Sequence, residues 1–127
     1  MKTASFFSYD GPGRISIARW APRGQGGLPK YRPLQVSAAM MRMEPEPFRL
    51  AYARDVLSKL DPHQVWDELC ALAQPHEPIL LCWERPPIVW PSHWCHRRDV
   101  AEWLESGLGV EIPEIAAPEP PKEQIHA

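Results

Sequence analysis

The sequence predicts an α/β fold: a single three-layer-like domain with a small, mostly parallel sheet, short helices and long proline-rich loops. Three observations predict it. Ile79-Leu80-Leu81-Cys82-Trp83 is a continuous apolar run, the pattern of a strand buried on both faces. The stretch from Ile79 to Ile112 has strand–helix–strand spacing, which implies a right-handed crossover in a mostly parallel sheet. Finally, 16 of the 127 residues are proline, roughly 2.5 times the usual ~5%. Nearly one residue in eight cannot donate a backbone hydrogen bond, which excludes long helices and a sheet made of central strands throughout.

The elements follow in chain order. Residues 3–9 are small, β-branched or aromatic and end at Asp10-Gly11-Pro12-Gly13, a strand and a turn. Arg14-Ile15-Ser16-Ile17-Ala18-Arg19 alternates, with Ile15 and Ile17 on one face of a second strand. A glycine-rich loop follows over 21–30. Pro29, Pro33, Pro45 and Pro47 keep 28–47 irregular, apart from a short extended piece near Leu34–Ala38.

A first helix is expected from Pro47, with Phe48, Tyr52, Val56 and Leu60 as its stripe. Asp61 caps a second helix with Pro62 at the first position. Val65, Trp66, Leu69, Leu72 and Ala73 form its apolar face, and Pro75 and Pro78 end it. After the apolar strand comes a loop over 85–94. Pro91-Ser92 supplies the cap of a third helix, with Val100, Trp103, Leu104 and Leu108 buried and Gly107 and Gly109 as stop signals. Val110-Glu111-Ile112 is the last strand. The domain thus spans 1–115, and 116–127 is a Pro/Glu-rich flexible tail.

Net charge is −2, which gives no support to bulk binding of nucleic acid or an anionic membrane. The charge is polarised, however. Residues 1–43 hold seven bases and one acid, and residues 99–127 hold seven acids and one base. Such a chain can fold so that its halves attract, or present a basic face to an anionic ligand. Three cysteines, Cys70, Cys82 and Cys95, cannot all pair within the chain, and no signal peptide or membrane-spanning run is recognisable. Free thiols in a reducing cytoplasm are the expectation.

In open parallel sheets, ligands sit beyond the carboxyl ends of the strands. Glu84 lies directly after the buried strand, and Ser92-His93-Trp94-Cys95-His96-Arg97-Arg98 opens the following helix. With Ser92 as cap, Cys95 falls in the first helical turn, where free N–H groups and the nearby arginines favour a thiolate. The same features would bind a phosphate or carboxylate. Cys95, His96 and Arg97 are therefore an activated nucleophile with helpers, an anion cradle, or a structural stretch in which His96 continues the buried stripe. A second basic cluster is Arg14, Arg19 and Arg23. Arg19 ends a strand and stands beside Trp20, which can stack on a ring or belong to the core. Trp83 and Trp103 are expected in the core, and Trp90 and Trp94 either line a pocket mouth or cover the third helix.

Spacing removes several alternatives. The position six after Cys95 is Ala101, not the arginine of a phosphatase loop. There is no Cys-x-x-Cys. Among Cys82, His93, Cys95 and His96 no second ligand pair has zinc spacing, so neither a metal nor a cofactor is expected. Gly24-Gln25-Gly26-Gly27 leads into Pro29, not a helix, and so is not a dinucleotide fingerprint.

Leu80-Leu81-Cys82-Trp83-Glu84, a proline loop, then Cys95-His96-Arg97 and Val100-Ala101 resembles the bacterial domain-of-unknown-function family 488. Ile17-Ala18-Arg19 is similar to that family's strand-end arginine. The resemblance covers roughly 3–115, and its specific part is Leu80 to Ala101. It implies an α/β sandwich in which Glu84, Cys95, His96 and Arg97 cluster with Arg19 at an active site, and it names no reaction. This chain has Pro113-Glu114 where members often carry a histidine.

The expected function is a pocket for a small anionic, phosphate- or nucleotide-like ligand in a bacterial or phage protein. Arg19, Arg23, Arg97 and Trp20 would bind the ligand, and Cys95, His96 and Glu84 would carry a Cys-dependent reaction. The alternative is a non-catalytic module binding a protein or nucleic acid. No membrane association is expected.

Overall fold

The computed structural model describes residues 1–116. It is an α/β domain with three parallel strands: β1 (Lys2–Ser5), β2 (Arg14–Ser16) and β3 (Ile79–Cys82). Their order is β1–β3–β2. The late apolar run is thus the central strand, and all four of its residues are buried. Thr3 pairs with Leu80 on one side, and Ile15 pairs with Leu80 on the other. Single-residue parallel bridges extend the sheet at both edges, Glu114 beside Thr3 and Lys30 beside Ser16.

The β1–β2 connection turns at Gly13, whose φ is +84°. A Cβ there would collide with the Glu77 carbonyl, so the position demands glycine twice over. The Gly13 carbonyl itself accepts from Ile79 N at 2.8 Å, which sets β3 into register.

Helix α1 runs Pro45–Asp55, starting two residues before the expected Pro47. Both prolines fit the first turn, where N–H groups lack intrahelical partners anyway. Phe48 and Tyr52 are buried as the stripe predicts. Val56 and Leu60 lie beyond the helix and pack partly buried against the same core, while the chain tightens into a 3-10 turn over Leu57–Lys59 that buries Leu57 as well. Helix α2 runs Pro62–Ala73, and the Asp61 carboxylate accepts from His63 N as its cap. Val65, Leu69 and Ala73 point inward, whereas Leu72, expected on that face, is exposed.

Helix α3 runs His96–Leu108, with Gly109 beyond it in the left-handed region (φ +68°). Gly107 belongs to the helix itself. Val100 and Leu104 are fully buried, and Trp103 and Leu108 pack partly buried against the same core. The predicted strand Val110–Ile112 does not form. Ile112 N instead donates to the Glu105 carboxylate, and pairing with β1 comes later, through Thr3 N to Pro113 O and Ile115 N to Thr3 O. All but one residue of the predicted tail, 116–127, lie outside the described residues.

The layers are unequal. Every buried apolar side chain within the three helices packs in one core with Ile15, Ile17 and Leu80. On the opposite face Ala4, Phe6, Ile79 and Leu81 form a smaller cluster, covered by loop residues such as Tyr9, Leu28 and Ile88. The third layer is therefore irregular chain. Among the described residues, no helix is long and apolar enough to cross a membrane.

Candidate functional site

A cleft of about 510 Å3 opens at the carboxyl ends of β2 and β3. The chain beyond β2 supplies Ala18, Arg19 and Trp20, and the end of β3 supplies Cys82, Trp83 and Glu84. The start of α3 supplies Cys95 and His96. These meet because Ile17 N donates to Leu81 O, keeping the two chain ends side by side as they leave the sheet. The irregular segment before α1 closes one side with Val36, Met40 and Met41, joined by Phe48.

The loop between Glu84 and Cys95 is held by backbone bonds. Val89 and His93 exchange both N–H groups at 2.8 Å, and Ser92 Oγ donates to Val89 O. That turn uses Ser92, so α3 starts later than the sequence suggests. Cys95 itself is the N-cap, in extended conformation, not a first-turn residue. Burial, reinforced by the adjacent Cys82, pushes the Cys95 thiol well above its ordinary value. Cys95 thus sits at the cap, buried beside a histidine, and not in the first turn of the helix.

His96 is buried and packs edge-on against the stacked rings of Phe48 and Tyr52. Its Nε2 lies 2.9 Å from the Ile17 carbonyl. A carbonyl only accepts, so Nε2 carries the hydrogen and Nδ1 is left to face Cys82 Sγ at 3.5 Å. Burial works against the imidazolium, but Cys95 and the Ile17 carbonyl outweigh it and hold His96 above its usual range. The donor atoms of Cys82, Cys95 and His96 all lie within 4.8 Å of one another. Among the described residues these are the side chains that converge as metal ligands do. Reasoning from linear spacing found no second pair; the fold supplies three donors from two chain segments.

The other expected residues divide. Arg19 and Trp20 are exposed at the cleft mouth, with the guanidinium 5.2 Å from the indole centroid and Nη1 reaching the Val36 carbonyl. Glu84 is half-buried at the rim. Arg23 is exposed in the glycine-rich loop and lines neither this cleft nor the smaller one beside α3. Arg97 is fully buried and lines neither cleft. Its Nε and Nη2 hold the Glu114 carboxylate, at 3.0 and 2.6 Å, and Nη2 also donates to the Glu84 carbonyl at 2.7 Å. Desolvation alone would weaken the Arg97 charge, but Glu114 and the neighbouring sulfurs more than offset it.

Trp83 is not core: it is 43% exposed, and its Nε1 donates to the Trp20 carbonyl at 2.7 Å. Trp94 packs on Phe48 with centroids 4.6 Å apart, and Trp90 stacks under the Arg49 guanidinium at 3.4 Å. Cys82, Trp83 and His93 all line the cleft and were not singled out as site residues. Cys82 had one available signal, its place at the carboxyl end of the apolar strand. No family profile, curated protein sequence or solved structure matches this chain.

Proposed function

We propose that the cleft binds a small anionic compound carrying a planar ring, of phosphorylated or nucleotide-like type. The observation that supports this is the pairing of Arg19 with Trp20 at the cleft mouth, opposite a floor made by Cys95 and His96. Arg19 offers a planar donor fork to phosphate or carboxylate, and Trp20 offers an indole face to a ring. Arg97 acts from beneath as a positioning residue, fixing the Glu84 backbone and Glu114. Arg23, which lines neither cleft, is not among the proposed ligand contacts. The reacting end of the ligand would face Cys95, with His96 Nδ1 and Glu84 as the groups that move protons. Cys95 is a nucleophile only once its buried thiol has passed its proton to such a group.

Calorimetric titration with nucleoside mono- and diphosphates and inorganic phosphate tests this. Dissociation constants below the millimolar range, weakened at least tenfold by Arg19→Ala, are expected. No binding by any of these, or binding indifferent to Arg19, overturns it.

A second reading, a non-catalytic module that docks a protein, is favoured by one observation. Trp20, Met41 and Trp83 expose 59%, 51% and 43% of their surface around the same mouth, an apolar rim of the kind interfaces use.

A further inference from the structure

We infer that Cys82, Cys95 and His96 form a zinc site of the open, three-ligand type, with its fourth position facing the cleft. The inference is independent of the anion contacts of Arg19 and Trp20, but a bound zinc takes Cys95 and His96 Nδ1 as ligands in place of their roles as nucleophile and proton carrier.

Geometry carries it. Tetrahedral zinc, with Zn–S near 2.3 Å and Zn–N near 2.0–2.1 Å, requires an S···N edge of about 3.6 Å and an S···S edge of about 3.8 Å. Cys82 Sγ and His96 Nδ1 stand 3.5 Å apart, and all three donor atoms fall within 4.8 Å of each other. The histidine is also set up as a ligand. Its Nε2–H is anchored on the Ile17 carbonyl, leaving the Nδ1 lone pair for the metal, the usual outer-shell arrangement of metal-bound imidazole. Phe48 and Tyr52 fix the ring plane.

The surroundings suit the charge. Two thiolates and Zn2+ make a neutral unit, which a buried site tolerates better than two thiolates alone. The Arg97 guanidinium, next in sequence to His96, is fully buried, and its Nη1 has no hydrogen-bond partner among the described residues. Two sulfurs and an imidazole select zinc over the hard cations, which prefer oxygen. Binding displaces the two thiol protons to solvent and forms two Zn–S bonds and one Zn–N bond. All three ligands line the cleft, so the open position is reachable by water or by a ligand atom.

The test uses the full chain, reduced and stripped of metal with a chelator. Titration with zinc chloride against a chromophoric competitor should show one ion bound with submicromolar affinity. Cobalt(II) chloride should give the visible bands of tetrahedral, thiolate-ligated cobalt. Cys82→Ser, Cys95→Ser and His96→Gln should each weaken zinc at least 100-fold, while Cys70→Ser leaves it unchanged. Failure of the reduced wild-type chain to bind zinc above a non-specific background overturns the inference, as does a cobalt spectrum without thiolate charge transfer. Because the cobalt spectrum is read on wild-type protein, a variant that fails to fold does not shield the idea. Zinc uptake without phosphate binding would sink only the anion pocket, and the reverse result only the metal site.

Discussion

The two faces of the sheet are built by different means. On one face, three helices present side chains at regular spacing, and Leu80 meets a continuous core that reaches from Met1 to Ile112. On the other, Leu81 belongs to a smaller cluster of strand residues covered by loops. Regular packing needs only periodic sequence. The irregular layer needs individual long-range bonds, such as Ser5 Oγ to the Trp83 carbonyl and Gln25 Nε2 to the Phe6 carbonyl. The cleft opens at the strand ends, where the two layers part. The difference teaches that the helical layer supplies stability, and that the site draws on both layers.

The largest expected effect is at the joint between them. Arg97→Met leaves Glu114 without its buried partner, and unfolding by urea should show a loss of about 3–5 kcal/mol. A loss under 1 kcal/mol would mean the ion pair is not what fastens the last segment to α3. Next come neighbours on one strand. Leu80→Ala and Leu81→Ala both vacate fully buried sites, for which about 2–5 kcal/mol is the usual range. Leu80 should fall near the top, because helices cannot collapse into the hole, and Leu81 near the bottom, because loops can. Equal values in denaturant titrations would erase the contrast between the faces.

Smaller effects isolate single features. Gly109→Ala meets no neighbour but forces an alanine into the left-handed region, and should lower the melting temperature by the equivalent of about 1 kcal/mol. Arg19→Ala should leave stability within about 0.5 kcal/mol, as for an exposed surface residue, while it weakens anion binding. If it unfolds the protein instead, Arg19 belongs to the scaffold.

Much of the helical face was legible from the sequence. The spacing of Val65, Leu69 and Ala73 marked the inward side of α2, and Asp61-Pro62 marked its start. The apolar run Ile79–Cys82 announced a doubly buried strand. What stayed hidden depends on partners far away in the chain. The start of α3 is set by the Val89–His93 bond pair, which competes for Ser92. Glu114 pairs with Arg97 across 17 residues, so neither its strand position nor the occupation of Arg97 could be read locally. Five of the seven expected site residues do line one cleft. Cys82 was missed as their companion because an apolar strand conceals a ligand as easily as a core residue.

The single-residue bridges at the sheet edges bear on how the protein behaves in company. A three-stranded sheet with free outer strands offers its unpaired N–H and C=O groups to any extended peptide, including another copy of itself. Here the outer side of β1 is taken by the backbone around Glu114, and that of β2 by the backbone around Lys30. Each cover is too short to act as a fresh template, and Lys30 adds an exposed charge at the β2 edge. The sheet is thus guarded against strand addition and the fibrillar assembly it can seed. A substitution that frees either edge should be felt first as lost solubility in concentrated solution, before any change at the cleft.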